Sequence, residues 1–298
     1  MNAPDIALVS ARGARRLDED LPPLRRALEA AGAQVTIARW DDPKVDWSSF
    51  DLALLRSTWD YARRLPEFLQ WIGRAAACTR LLNPPEVVRW NTDKHYLAQL
   101  HRAGVPVVPS AFAEPGEDAP RALEAFLQTY PDAEDVVIKP SVGAGSKDAQ
   151  RHARDSLDDM QAHLKRLLDA GRCALMQPYL SSVDAHGETA LLFFDGEYSH
   201  AIRKGPLLAR GAEPARGLFA VEEITAREPS NAERELALRA LAAIPFERPL
   251  LYARVDLIHD ESGAPRLLEL ELTEPSVFLA HAAGSAERFA RAILARLR

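Results

Sequence analysis

Three carboxylates and an arginine occupy alternate positions on two neighbouring apolar runs near the end of the chain. In residues 250–258, Tyr252, Arg254 and Asp256 alternate with Leu251, Ala253, Val255 and Leu257. In residues 266–272, Glu269 and Glu271 alternate with Leu268, Leu270 and Leu272. A period of two marks strands with one apolar face. Ser262-Gly263 lies between the runs, and a hairpin centred there sets Asp256 about opposite Glu269. Like charges facing each other destabilise a sheet, so something must compensate. Mg²⁺ held by one or two carboxylates plus substrate phosphates would do so, and Arg254 can neutralise one charge or meet a phosphate oxygen. The other reading is a solvated polar face with Arg254 in a salt bridge.

A second constellation carries lysines. Lys139 ends the apolar run 136–138 and precedes Ser141-Val-Gly143-Ala-Gly145-Ser146, a loop with little side-chain bulk. Such a backbone can lie against phosphates and donate its N–H groups, with the lysine adding a point charge. The loop is neither a P-loop, since no Gly-Lys-Ser/Thr occurs, nor a dinucleotide fingerprint, since the third glycine is missing. An ordinary turn is the alternative, and Lys94 read alone is a solvated lysine. Gln177-Pro-Tyr179-Leu180 reads as a strand ending at proline, or as a hinge whose backbone meets a purine edge.

The elements that must position these residues follow from periodicity. Runs at 6–9, 34–38 and 52–55 read as strands, with a helix between the first two on Leu17, Leu21, Leu24, Leu28 and Ala31, stopped at Gly32. A helix over 66–77 continues the alternation, which implies a parallel sheet covered by helices. Ligands of such sheets sit at the strands' carboxyl ends, here the loops 10–16 and 57–61. Asn91 or Thr92 can cap a helix running to 102. An extended segment begins at 104–106, and 114–120 is a linker. Then come a helix over 121–130, a strand at 136–140, a helix on Leu157, Met160, Leu164 and Leu167 stopped at Gly171, and a strand at 174–177. Asp195-Gly196 between apolar runs predicts a hairpin of 188–194 and 197–203. Residues 206–223 read as a mobile loop. Ser230 and Glu233 have capping-box spacing for a helix to 243, and Phe289, Ile293 and Leu297 mark a closing helix.

Composition sets the outer limits. The 298 residues are 47% hydrophobic and 27% charged, as in soluble globular proteins, and 37 Lys+Arg against 43 Asp+Glu give 37 − 43 = −6. That balance argues against a nucleic-acid binder. Cys78 and Cys173 have no paired spacing, so neither a disulfide nor a cysteine metal site is expected, and both read as buried thiols. No secretory signal or membrane-length apolar run occurs, so a cytoplasmic protein without membrane contact is expected.

In series, these pieces resemble one family. Asp93-Lys94 opens a helix, Val-Ile-Lys139-Pro precedes the glycine loop, Gln177-Pro-Tyr-Leu is followed by Gly187-Glu188, and Arg254-Val-Asp256 with Glu269-Leu-Glu271 closes the series. This order is similar to the ATP-grasp superfamily over nearly the whole chain. The resemblance implies an α/β and α+β fold. Its parts are an N-terminal Rossmann-like domain (1–105), a small lid domain (106–179) and a C-terminal antiparallel-sheet domain (180–298). ATP would lie between the last two. Lys94 and Lys139 would contact phosphates, with Ser141, Gly143, Gly145 and Ser146 closing over them. Gln177, Tyr179 and Leu180 would face adenine and Glu188 the ribose. Asp256, Glu269 and Glu271 would ligate Mg²⁺, although many members carry Asn in place of Glu271.

Ser10-Ala-Arg-Gly13, Arg56-Ser-Thr-Trp-Asp-Tyr61, Ser199-His-Ala-Ile-Arg-Lys204 and the stretch from Leu268 to Ser276 look most like the cyclo-ligases that make D-cycloserine from O-ureido-D-serine in antibiotic biosynthesis. That likeness implies activation of a carboxylate as an acyl phosphate, ring closure, and release of CO₂, NH₃, ADP and phosphate. Arg254 and Arg203 are then the catalytic candidates. Thr58, Trp59, Asp60, Tyr61 and Ser276 are candidates for the amino-acid end. A homodimer fits the resemblance, and no proton-transfer role is expected of His95, His101, His200 or His259. A carboxylate–amine ligase shares every ATP and metal residue, while a non-catalytic nucleotide-binding module would be expected to lack one of them.

Overall fold

The computed structural model describes residues 3–208 and 223–297. Its first layer is a parallel sheet. Strands β1 (Asp5–Ser10), β2 (Gln34–Arg39), β3 (Leu52–Ser57) and β4 (Arg80–Leu82) run in the order β2-β1-β3-β4. Helices α1 (Leu21–Ala30) and α2 (Leu65–Ala76) supply the crossovers, and α3 (Pro85–Asn91) and α4 (Tyr96–Arg102) follow. β1 and β3 are almost wholly buried, as parallel strands covered on both faces must be. The helix expected from Leu17 begins at Leu21, where Pro22 and Pro23 suit a first turn. Leu17 is left exposed in the preceding loop. The helix expected to run from Asn91 or Thr92 to residue 102 begins only at Tyr96, while Asn91 ends α3 and Lys94 lies in the turn between α3 and α4.

The second layer is an antiparallel sheet of β5 (Ala111–Ala113), β6 (Asp135–Pro140), β7 (Gln150–Ala153) and β8 (Ala174–Pro178), in the order β5-β8-β6-β7. Helices α5 (Ala119–Thr129) and α6 (Leu157–Asp169) cover one face through Leu123, Phe126, Met160, Leu164 and Leu167. Leu157, expected on that face, is exposed at the helix's first position. β7, Gln-Arg-His-Ala, lacks an apolar run, and β5, Ala-Phe-Ala, is too short to show a period.

The third layer holds α7 (Ser182–His186), β9 (Glu188–Phe194), β10 (Glu197–Lys204), β11 (Ile224–Arg227), α8 (Asn231–Ala242), β12 (Tyr252–His259), β13 (Pro265–Glu271) and α9 (Ser285–Ala295). Its sheet order is β11-β10-β9-β12-β13. Asp195 and Gly196 have φ of 52° and 82°, the left-handed conformations a tight hairpin turn needs. Ser230 accepts from the Glu233 N–H while Glu233 returns to the Ser230 N–H, completing the capping box that opens α8. Val255, Leu257, Leu267 and Leu270 pack into the largest core together with α8 and α4 residues. The segment expected to be a mobile loop, 206–223, lies outside the described residues over 209–222. Among the described residues, no helix is long and apolar enough to cross a membrane.

Candidate active site

β12 and β13 pair in the register expected from alternation. Arg254 lies opposite Glu271 and Asp256 opposite Glu269, with a register shift immediately after Asp256. All four side chains therefore share one face of the sheet. That face is wired to Arg254 on the face itself and to lysines on two other segments. Arg254 Nε donates to Asp256 Oδ1 at 2.8 Å, and its Nη2 reaches Asp256 Oδ2 at 2.9 Å and also Glu271. Lys204, the last residue of β10, sits 2.8 Å from Asp256 Oδ2 and 2.9 Å from Glu188 Oε2. Lys94 Nζ meets Glu269 Oε1 at 2.7 Å.

These pairings set the ionisation of the face. Burial by itself would raise Asp256, but Arg254 and Lys204 hold it at about 2. Burial pushes Glu271 up to about 7 despite Arg254, because Asp256 and Glu269 are close. Burial lowers Lys139, with Lys94 and Lys204 adding to the effect against the pull of Glu269 and Glu188. Lys139 makes no ion pair among the described residues.

Side chains tie the start of β12 to the residues after β13 and hold the outer edge of β13. Asn83, fully buried, donates from Nδ2 to the carbonyls of Tyr252 at 2.9 Å and Leu272 at 2.8 Å, and accepts from the Leu251 N–H at 3.0 Å. Asn91 Nδ2 donates to the Leu270 carbonyl and its Oδ1 accepts from the Leu272 N–H, both at 2.7 Å. Tyr96 Oη accepts from the Leu270 N–H at 2.9 Å. The chain at 106–108 adds a short parallel bridge to Leu267. Amide side chains placed this way satisfy the exposed backbone groups of an edge strand.

A cleft opens over the carboxylate face. One wall is the loop from Gly143 to Lys147, in which Gly145 has φ of 64°. Ser141 lies just outside the lining residues. Its carbonyl accepts from the Lys94 N–H at 3.0 Å and its N–H donates to the Cys173 carbonyl at 2.9 Å, pinning the loop's base. Farther in, Val108, Val183, Ile258, Leu180 and Leu268 make a small apolar cluster beside Tyr179 and Gln177. The pairing of β8 with β5 ends at Met176, which leaves that edge beyond it without a strand neighbour. Gln177 Nε2 donates to Ser110 Oγ at 2.9 Å, and the Arg151 guanidinium lies 3.5 Å from the Tyr179 ring centre. An apolar slot with one open backbone edge suits a flat heterocycle.

At the opposite end, Trp59, Tyr61, Ser276 and Glu274 line the cleft. Trp59 Nε1 donates to the Glu274 carbonyl at 3.2 Å. Tyr61 hydrogen-bonds the Glu274 carboxyl, which burial and the neighbouring Glu271 push up to about 8. Thr58 and Asp60 do not line the cleft. Thr58 is fully buried, and Asp60 accepts from Trp40 Nε1 at 2.8 Å. Arg203 also points elsewhere, its Nε donating to the His186 carbonyl at 3.0 Å, because alternation along β10 gives Lys204 the cleft side. Lys204 and Glu274 carried no assignment from the sequence. The strand period and the proximity of the Glu269-Leu-Glu271 motif were the signals that could have found them. His200 is held by the Val277 carbonyl at 2.9 Å and lies outside the lining. The expected buried thiols differ too, since Cys78 is exposed and Cys173 half-buried.

The first 83 residues bear on ancestry as well as geometry. Residues 6–83 match the family model described as D-cycloserine synthetase DcsG, N-terminal domain. Over 297 residues the chain is 41% identical to the cycloserine biosynthesis protein DcsG of Streptomyces lavendulae, covering 98% of this chain and 99% of that one. The chain belongs to the D-cycloserine synthetase family. It is an ATP-dependent ligase of the ATP-grasp fold. The crystal structure of D-cycloserine synthetase DcsG superposes with a TM-score of 0.92 at 41% identity, over 99% of this chain and 100% of that one. The D-alanine–D-alanine ligase from Bacillus anthracis complexed with ATP shares the fold at 15% identity, with a TM-score of 0.69 over 99% of this chain and 97% of that one.

Proposed function

We propose that this family member activates the carboxylate of O-ureido-D-serine with Mg·ATP and closes it to D-cycloserine, releasing ADP, phosphate, CO₂ and NH₃. The observation that carries the reading is one cleft with two unlike ends. An apolar, glycine-walled end meets lysines, and a polar end is lined by buried Trp59 and Tyr61 with Glu274. The relative bearing the cycloserine name is similar over the full chain, which supports this substrate class.

The residues fit a magnesium–nucleotide complex, because three carboxylates on one sheet face form a hard oxygen donor set and Lys139 stands opposite without an ion pair among the described residues. Asp256, Glu269 and Glu271 would hold the metal. Bound Mg²⁺ supplies charge neutralisation to the transferring phosphoryl group. Lys94 and Lys139 would take phosphate oxygens, and the Gly143–Ser146 backbone would donate N–H groups to them. Val108, Leu180, Val183, Ile258 and Leu268, with Gln177 and Tyr179, would sandwich the base, and Glu188 would take the ribose. Arg254 lies between the carboxylate face and the Ser276 carbonyl, 3.1 Å from Nη1, where it can meet charge developing at the acyl phosphate. Lys204, rather than Arg203, is the second cation on this side. Glu274, Tyr61, Trp59 and Ser276 would hold the amino-acid end, with Glu274 releasing its proton as the substrate ammonium docks. Holding carboxylate, phosphoryl group and ureido nitrogen together is the main catalytic task, since the protein needs no nucleophile of its own.

The test is phosphate release from Mg·ATP with O-ureido-D-serine as the sole amino-acid substrate. Release with D-cycloserine in the product is expected. Release only when a second amine is added would assign the chain to carboxylate–amine ligation and overturn ring closure.

A further inference from the structure

We propose that His95, Glu114 and Cys173 form a binding site for a zinc-class divalent metal, distinct from the carboxylate hairpin, that braces the lid sheet to the turn carrying Lys94. The inference does not depend on the substrate proposed above.

The three residues come from three segments. His95 follows Lys94 ahead of α4, Glu114 follows the last residue of β5, and Cys173 precedes β8. Their ligating atoms all lie within 4.8 Å of one another. Cys173 Sγ is 3.8 Å from His95 Nε2 and 3.5 Å from Glu114 Oε1, and His95 Nε2 is 3.0 Å from Glu114 Oε1. A tetrahedral zinc ion with its usual bond lengths sets sulfur–nitrogen and sulfur–oxygen separations of about 3.6 Å and a nitrogen–oxygen separation of about 3.3 Å. Each observed distance falls within roughly 0.3 Å of those values.

The histidine's hydrogen bonds point the same way. Nδ1 meets Asp93 Oδ1 at 2.7 Å while Nε2 faces Glu114. A neutral imidazole has a single N–H, so one of these contacts sets a lone pair against a carboxylate unless a cation intervenes. A metal at Nε2, with Asp93 holding the Nδ1 proton, is the arrangement by which a carboxylate orients a ligating histidine. Phe112 stacks on the ring at 3.9 Å between centroids and fixes its plane. The sulfur selects a borderline metal over Mg²⁺, which favours oxygen ligands. None of the three residues lines the nucleotide cleft. Glu114 is half-exposed, which leaves a route for the ion and a water as fourth ligand. The site is hidden in the sequence because no two ligands share a short motif.

The probe is Co²⁺, titrated into the metal-stripped full chain in the presence of Mg²⁺. One equivalent is expected to produce a thiolate-to-cobalt charge-transfer band with tetrahedral d–d absorption, displaced by Zn²⁺. The band is expected to persist in Cys78→Ser and vanish in Cys173→Ser, with circular dichroism showing that both variants fold. Glu114→Gln is expected to weaken Co²⁺ binding at least about tenfold, as ligand loss should cost no less than second-shell loss, and Asp93→Asn by about 10–100-fold. No band at one equivalent, or a band that survives in Cys173→Ser, would overturn the site and leave a protonated His95 between two carboxylates.

Discussion

Removing the Asn83 amide tests whether the open end of the β12–β13 pair is held by a side chain from the N-terminal layer. In Asn83→Ala, the Tyr252 and Leu272 carbonyls lose a donor each and the Leu251 N–H loses its acceptor. The site is fully buried, so water does not replace the amide without rearrangement. An orphaned buried polar group costs about 1–3 kcal/mol. The N–H has one hydrogen to satisfy, whereas each carbonyl keeps a second lone pair, so the donor contributes at the upper end and the acceptors at the lower. The sum is roughly 4–6 kcal/mol, a large share of a typical net stability of about 5–15 kcal/mol. At roughly 2 °C per kcal/mol for a chain of this size, the thermal midpoint falls by about 10 °C. Asn83→Asp keeps the volume and one acceptor but sets a carboxylate against two carbonyls, so it is expected to be at least as damaging. Gln128→Ala, an exposed amide elsewhere, serves as the control and is expected to shift the midpoint little. The assay is thermal unfolding with and without Mg·ATP, joined to nucleotide affinity by fluorescence. A shift under about 2 °C in Asn83→Ala, with unchanged affinity, would refute the reasoning, since three buried bonds cannot vanish at that cost.

Other outcomes follow from the charged face. Lys204→Met strips a cation from both Asp256 and Glu188, and should destabilise the chain by about 3–5 kcal/mol and abolish phosphate release; activity near wild type would remove Lys204 from the site. Glu271 and Glu274 keep their protons to about 7 and about 8, against an ordinary 4.5. The folded chain thus binds more protons than the unfolded one over that window. Stability without nucleotide should therefore fall as pH rises from about 4.5 to about 8, and Glu274→Gln should flatten the upper part of the fall. Thermal midpoints that rise steadily across the window would contradict this. At Gly187, φ is +69°, and an added Cβ would collide with the Lys204 carbonyl and sit 2.9 Å from Arg203 Nε. Gly187→Ala should cost about 2–4 kcal/mol through strain and displacement of β10, read as a lower thermal midpoint with weaker nucleotide binding.

Much of this site could be read from period alone. The register of β12 and β13 follows from alternation plus a Ser-Gly turn, and the Asp195-Gly196 hairpin from turn chemistry, because both are local. Long apolar helices were similarly legible. The sequence was less informative where partners are remote. Nothing near Asn83 or Asn91 announces that their amides serve strands about 170–180 residues later. The stretch around Lys94 reads as helix because the break between α3 and α4 carries neither proline nor glycine. Arg203 is a candidate only through the resemblance, and strand phase, which decides which side chain enters the cleft, gives that place to Lys204. Thr58 and Asp60 stand in a motif of which Trp59 and Tyr61 face the cleft, but a 3₁₀ turn over Trp59–Arg63 rotates successive side chains apart.

The completion of β13 by Asn83, Asn91, Tyr96 and residues 106–108 limits how this ligase can be recombined. Two halves exchanged between relatives at a junction near residue 105 would join strand ends to amides selected for other strands. A chimera that carries 83–108 together with its own C-terminal sheet keeps those contacts, and one cut between them does not. Inheritance across this family should therefore move that segment with the distant strand it finishes, even though more than half the chain separates the two.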